Sequence, residues 1–274
     1  MATAIRSRAC TPAWISKPIT DVAGKRLRPE RAAGVPSAAA AVGWPAGARL
    51  LKPAIFVASL GPAAWLLWAA LTGHLSANPL SDVTNETGIW TLRFLCITLS
   101  VTPLRRVTGW NSVIRFRRMI GLFAFFYGTL HLLTYVILDR FAGLDFPNGF
   151  VSWRTVQDLA VSVGQDVYKR PFITIGAAAF TSMVPLAATS TAGMVRRLGG
   201  RRWQMLHRLV YVAASAGVIH YWWQVKADVR RPIAYAVVVG LLLAFRLLWA
   251  RAHVRRVAPV RSQPDPLRIE RAPW

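Results

Sequence analysis

Six apolar stretches, each close to the length of a membrane crossing, constrain this chain more than any other feature. They run at roughly 51–72, 88–104, 119–138, 171–190, 205–224 and 232–250. A helix needs about 20 residues to cross the hydrocarbon core, and inside lipid the backbone must satisfy its own hydrogen bonds. The pattern predicts an all-α fold, a polytopic membrane protein with six transmembrane helices in a bundle. Span two is the weakest, being short and carrying Thr91, Arg93, Thr98 and Thr102. Span four contains Pro185, which predicts a kink. No internal sequence repeat is evident.

Composition matters chiefly for what it excludes. A chain that is 54% hydrophobic, with 12 Trp and 12 Phe, is too apolar for an ordinary soluble domain. The formal charge of +23 could suggest nucleic acid, but the cations flank the apolar spans instead of clustering on one soluble module. Their placement is a topology signal. With the N-terminus inside, 25 of the 34 Lys and Arg fall on the cytoplasmic side and 7 in the outer loops. Both termini are therefore expected in the cytoplasm. Residues 1–48 read as a disordered basic tail, 49–252 as the membrane domain and 253–274 as a cytoplasmic tail. Cys10 and Cys96 have no metal-type spacing, and without C-x-x-C-H there is no covalent c-type haem site.

The five histidines carry the chemistry. His74 and His253 fall at wet positions beside the spans, whereas His131, His207 and His220 fall inside or at the edge of spans three and five. An ionisable group in a membrane span is a functional hypothesis by default, because leaving it without a partner is costly. Neutral imidazole escapes that cost by giving one nitrogen to a metal and a hydrogen bond from the other. No Asp or Glu lies within a span to complete a zinc or di-iron site. Histidine alone on separate helices is the pattern of a non-covalent haem held between them. With two axial histidines, such an iron has no open position and carries electrons.

Spans three and five are predicted to run in the same direction. His131 and His220 then share the outer half and could face one another across one haem. His207 lies 13 residues before His220, about 20 Å deeper along a helix axis, and its level partner on span three is Arg117. Thirteen residues also leave about 140° between His207 and His220 on an ideal helix. Either span five is locally distorted, or the two histidines have different surroundings. His207 reads as a second metal ligand or as an interfacial histidine bonded to its neighbours.

Several blocks resemble the MsrQ family: NPLSDVTNETGIWTLRFLCITLSVTPLRR (78–106), FRRMIGLFAFFYGTLHLLTYVILD (116–139), KRPFITIG (169–176) and TSTAGMVRRLGGRRWQMLHRLVYVAASAGVIHYWWQVK (189–226). The family comprises haem-binding membrane subunits of a bacterial periplasmic methionine-sulfoxide reductase system, within the ferric-reductase-like transmembrane superfamily. The resemblance implies a multi-pass protein of the bacterial inner membrane that moves electrons through haem b. The donor would be the quinone pool or a cytoplasmic flavin reductase, and the acceptor a periplasmic MsrP-like molybdoprotein that repairs oxidised methionine. It implies FMN as well, for which no motif here gives a location. Carried over by motif, His131 in GTLHLLTY, His207 in WQMLHRLVY and His220 in GVIHYWW match the family's functional histidines. The superfamily pairs four histidines around two haems; here Arg117 or Arg118 stands where the first is expected, so one or two haems remain open.

Among the arginines, Arg115, Arg117 and Arg118 with Arg201 and Arg202 form a cationic rim on the cytoplasmic side. They read as topology signal and lipid-phosphate contact, or as a seat for a haem propionate, an FMN phosphate or a quinone head group. Arg93 could hold a propionate of the outer haem or snorkel to the interface. Trp153, Trp222 and Trp223 read as an aromatic belt, and the loop 139–170 as a docking surface. Two other functions compete: a ferric- or cupric-type transmembrane reductase whose flavin domain is a separate protein, and a cofactor-free membrane anchor or assembly factor. A transporter is disfavoured, since no span carries an acidic residue at its midplane.

Overall fold

A computed structural model describes residues 46–141, 152–225 and 227–257. The basic tail before residue 46, the centre of the loop read as a docking surface and the last 17 residues lie outside the described residues. Every regular element among the described residues is helical: α1 (Ala46–Leu71), α2 (Pro79–Thr108), α3 (Arg117–Leu133), α4 (Trp153–Lys169), α5 (Pro171–Ala188), α6 (Ala192–Leu198), α7 (Gly200–Leu206), α8 (Leu209–Gln224) and α9 (Arg230–Val257). Among the described residues, five segments are long and apolar enough to span a membrane: α1, α2, α5, α9 and α3 with its extension to Arg140. The sixth expected span is divided between α7 and α8, and α8 alone has 16 residues. The chain is a multi-pass membrane protein.

Helix boundaries follow local chemistry. Asn78 caps α2 by accepting from the Ser81 amide at 3.2 Å, Pro79 occupies the first turn, and Gly109 closes the helix at φ 72°. Ser152 caps α4 in a reciprocal pairing with Thr155. This 17-residue helix lies where the sequence reading placed only a loop. Its mixed polar face hid it from a search for membrane-length apolar runs, although Thr155 and Asp166 are buried.

α3 does not stop at Leu133. It widens into a π-helical stretch over Thr134–Phe141, with the Thr134 hydroxyl donating back to the His131 carbonyl at 2.8 Å. The widening brings Tyr135 and Arg140 onto Asp166 of α4. The Tyr135 hydroxyl donates to Asp166 at 2.6 Å, Arg140 pairs with the same carboxylate, and Arg170 closes the cluster at 3.4 Å.

The most extensive pairings are α2 with α3 and α5 with α8; α9 lies against α8 and α2. α1 joins through Tyr127 of α3, which is fully buried. Its hydroxyl donates to the Ser59 carbonyl at 2.8 Å and accepts from the Ala63 amide at 3.0 Å, beside Pro62. Those are the two groups that an uninterrupted helix would pair with each other. Tyr127 thus satisfies the ladder of α1 where proline disturbs it. Outward faces are apolar: Trp65, Leu67 and Leu71 on α1, and Leu241, Leu247 and Leu248 on α9, are exposed. That arrangement suits hydrocarbon as the solvent.

Candidate functional site

α2, α3, α5 and α8 surround a cavity of about 550 Å³, within the size range of small-molecule and cofactor sites. His131 and His220 both line it. Their ring centroids are 6.0 Å apart, with the planes at 77°. The structure thus brings these two side chains together at one cavity.

Each imidazole is held from behind by the neighbouring helix. The Nδ1 of His131 lies 2.8 Å from the Thr84 carbonyl of α2, and that of His220 lies 2.7 Å from the Phe172 carbonyl of α5. A carbonyl only accepts, so both rings carry their proton on Nδ1 and keep the Nε2 lone pair. One turn beyond each acceptor is a glycine, Gly88 on α2 and Gly176 on α5, lying directly against the ring.

The pair fits a metal held on both sides. Two imidazoles sharing one ion through nitrogen bonds of about 2.0 Å would place their centroids roughly 6 Å apart. No group of three or more His, Cys, Asp or Glu occurs among the described residues, so protein side chains alone do not build a closed metal site. Two histidines, a largely apolar lining and this volume suit a haem, whose macrocycle supplies the remaining ligands.

His207 lies elsewhere. It ends α7, its Nδ1 is 3.1 Å from the Trp203 carbonyl, and its ring stacks on Trp203 at 3.9 Å. Here the chain tightens, the amides of Val210 and Tyr211 reaching back three residues to His207 and Arg208. The local distortion of span five and the separate surroundings of its two histidines are both present. The charges of Arg117 and Arg118 act on His207. Arg93 stands outside the lining of the cavity: its Nε donates to the Tyr235 hydroxyl at 3.2 Å and its guanidinium lies 4.4 Å over Trp90. His74 stacks on Trp68 at 5.0 Å, away from the pair.

Two arginines gain weight that sequence reading did not give them. Arg170, at the start of α5, lines the cavity beside Tyr135 and Asp139. Arg246 of α9 donates to the Tyr211 hydroxyl at 2.7 Å, the Leu99 carbonyl at 2.7 Å and the Thr102 hydroxyl at 3.1 Å. It binds α9 to α8 and α2 with three hydrogen bonds inside an apolar span. The signal was present, since a charge in a span demands partners, but spacing does not name them.

Comparison with known proteins agrees with the geometry. The family described as ferric reductase like transmembrane component matches residues 87–218, a region that contains His131 and ends two residues before His220. The chain is 48% identical over 203 residues to the protein-methionine-sulfoxide reductase heme-binding subunit MsrQ of Herminiimonas arsenicoxydans, covering 73% of this chain and 86% of that protein. It is 49% identical to the MsrQ of Ralstonia nicotianae, covering 78% and 92%. Against the MsrQ of Rhodospirillum rubrum it is 48% identical, covering 73% and 88%. No solved structure matches it.

Proposed function

The chain belongs to the MsrQ family of heme-binding subunits, and from that premise we propose that it conducts electrons across the bacterial inner membrane through a haem b held by His131 and His220. The observation that carries this reading is the imidazole pair, 6.0 Å between centroids and each fixed through Nδ1 by a backbone carbonyl. Haem bound there would supply one-electron redox chemistry. The protein's part would be to hold the group between His131 and His220, each imidazole fixed through Nδ1 and offering its Nε2 lone pair, and to exclude water with apolar walls.

The donor in this reading is quinol or a cytoplasmic flavin reductase, and the acceptor a periplasmic MsrP-like molybdoprotein that reduces methionine sulfoxide. The chain crosses the membrane six times with both termini in the cytoplasm. His207, with Trp203, Arg117 and Arg118 around it, belongs to the end that the charge asymmetry assigns to the cytoplasm. There it serves the donor side, where anionic FMN or a quinone head group would find cations. Arg93 acts as an anchor between α2 and α9 through Tyr235.

The test is a dithionite-reduced absorption spectrum of the detergent-purified protein. A low-spin b-type α-band is expected, lost on His131→Ala and on His220→Ala. A wild-type band in both variants rules the ligand assignment out.

A further inference from the structure

The two histidine seats are built alike, although the sequence shows no repeat. In one, the imidazole of α3 rests on α2 over the carbonyl of Thr84 and the bare backbone of Gly88, four residues on. In the other, the imidazole of α8 rests on α5 over the carbonyl of Phe172 and the bare backbone of Gly176, again four residues on. The acceptor precedes its histidine by 47 residues in the first seat and by 48 in the second. Each histidine is also preceded by a glycine one turn earlier on its own helix, Gly128 and Gly217, and both of these line the cavity.

The four glycines fall into two kinds. A Cβ on Gly176 would stand 2.8 Å from Nδ1 of His220, and one on Gly88 would stand 3.1 Å from Nδ1 of His131. Glycines that merely let helices approach would meet backbone or an opposing helix's packing atoms. Here the nearest atoms are the imidazoles themselves. By contrast, a Cβ on Gly128 would meet nothing closer than Thr91 at 3.5 Å, and one on Gly217 nothing closer than Leu92 at 3.7 Å. Protein packing would accept alanine at those two positions, and glycine inside a helix costs about 0.5–1 kcal/mol relative to alanine. What they keep clear is the cavity wall one turn from each ligand.

We propose that Gly88 and Gly176 are positioning residues that set the two imidazoles at metal-binding separation, and that Gly128 and Gly217 clear the flanks of the same site for a planar macrocycle. This rests on the reading of the cavity as a haem site. Alanine at Gly176 pushes the His220 ring off α5 and loosens its bond to Phe172. Alanine at Gly88 does the same to His131 more mildly. Alanine at Gly128 or Gly217 leaves the rings in place and narrows the slot.

The test uses the full chain purified in detergent, with haem per chain measured by pyridine haemochrome, titration of the haem-depleted protein with haemin, and the ferric EPR spectrum. Gly240→Ala, with open space around its Cβ, serves as control. Gly176→Ala and then Gly88→Ala are expected to shift the low-spin EPR signal. All four cavity variants should lose about tenfold or more in haem affinity, while the control keeps wild-type values. Gly128→Ala and Gly217→Ala meet only ordinary contacts, so they fold even where Gly176→Ala fails to. Wild-type EPR in both Gly88→Ala and Gly176→Ala, or wild-type haem affinity in both Gly128→Ala and Gly217→Ala, overturns the proposal. A colourless wild-type protein would instead sink the haem reading, and this inference with it.

Discussion

The imidazoles of His131 and His220 stand 6.0 Å apart at 77°, though 89 positions separate them in the chain, and each is braced from behind by a different helix. Neither ring depends on the other for its orientation. Thr84 sets one and Phe172 the other, each through Nδ1. In the proposed haem site, this bracing would limit the reorganisation that either side chain needs on binding.

Tyr127→Phe tests how α1 is attached. The substitution keeps the buried ring and removes the hydroxyl that serves both Ser59 and Ala63. Two backbone groups in an apolar setting lose their partner, at a cost of about 1–3 kcal/mol. A lower Tm in detergent with an unchanged haem spectrum is expected. An unchanged Tm would show that α1 closes its own ladder past Pro62.

Asp166→Asn addresses the link between the π-helical stretch and α4. The carboxylate receives Tyr135, Arg140 and Arg170, and only Arg170 is half exposed. Neutralising it leaves Arg140 with Asp139 at 3.5 Å and Arg170 with solvent, so destabilisation of about 1–2 kcal/mol follows, below that of a sealed pair. Chemical denaturation of the purified protein measures this. A variant as stable as the wild type would assign the cluster no part in holding α4.

Arg246→Lys probes the cation within α9. An ammonium cannot match the guanidinium's planar reach to Tyr211, Leu99 and Thr102 together. A loss of about 1–3 kcal/mol is expected, read as a drop in Tm. Full retention of stability by lysine would mean that charge alone, without the fork, suffices there.

His207→Ala separates the two histidines of the former single span. Since His207 is bonded to Trp203 and lies beside Arg117 and Arg118, the spectrum of the His131/His220 haem should persist, with haem content within about twofold of wild type. Loss of all haem in this variant would place His207 among the ligands of the same site.

What sequence made legible here was periodic or costly. Apolar runs of membrane length located α1, α2, α3, α5, α8 and α9, because lipid imposes both length and composition. Histidines in such runs stood out because they demand partners. The capped helix α4 escaped, since its apolar residues are interleaved with polar ones and serve a protein neighbour. The tightened turn at His207 was visible only as an angular misfit between two side chains. For Arg93 the sequence leaves open a haem propionate or the membrane interface, and spacing does not name the Tyr235 hydroxyl and Trp90 ring that it meets in the structure. The role of Gly88 and Gly176 could not be read at all, because it depends on which ring comes to lie over which helix turn.

The central claim is that one haem is gripped by His131 and His220. Its most direct measurement is the ferric EPR and reduced α-band of the wild type beside His131→Ala and His220→Ala, at matched protein concentration and with haem counted. Low-spin haem in the wild type and its disappearance in each single variant is the predicted result. A low-spin signal of wild-type intensity surviving either substitution contradicts it.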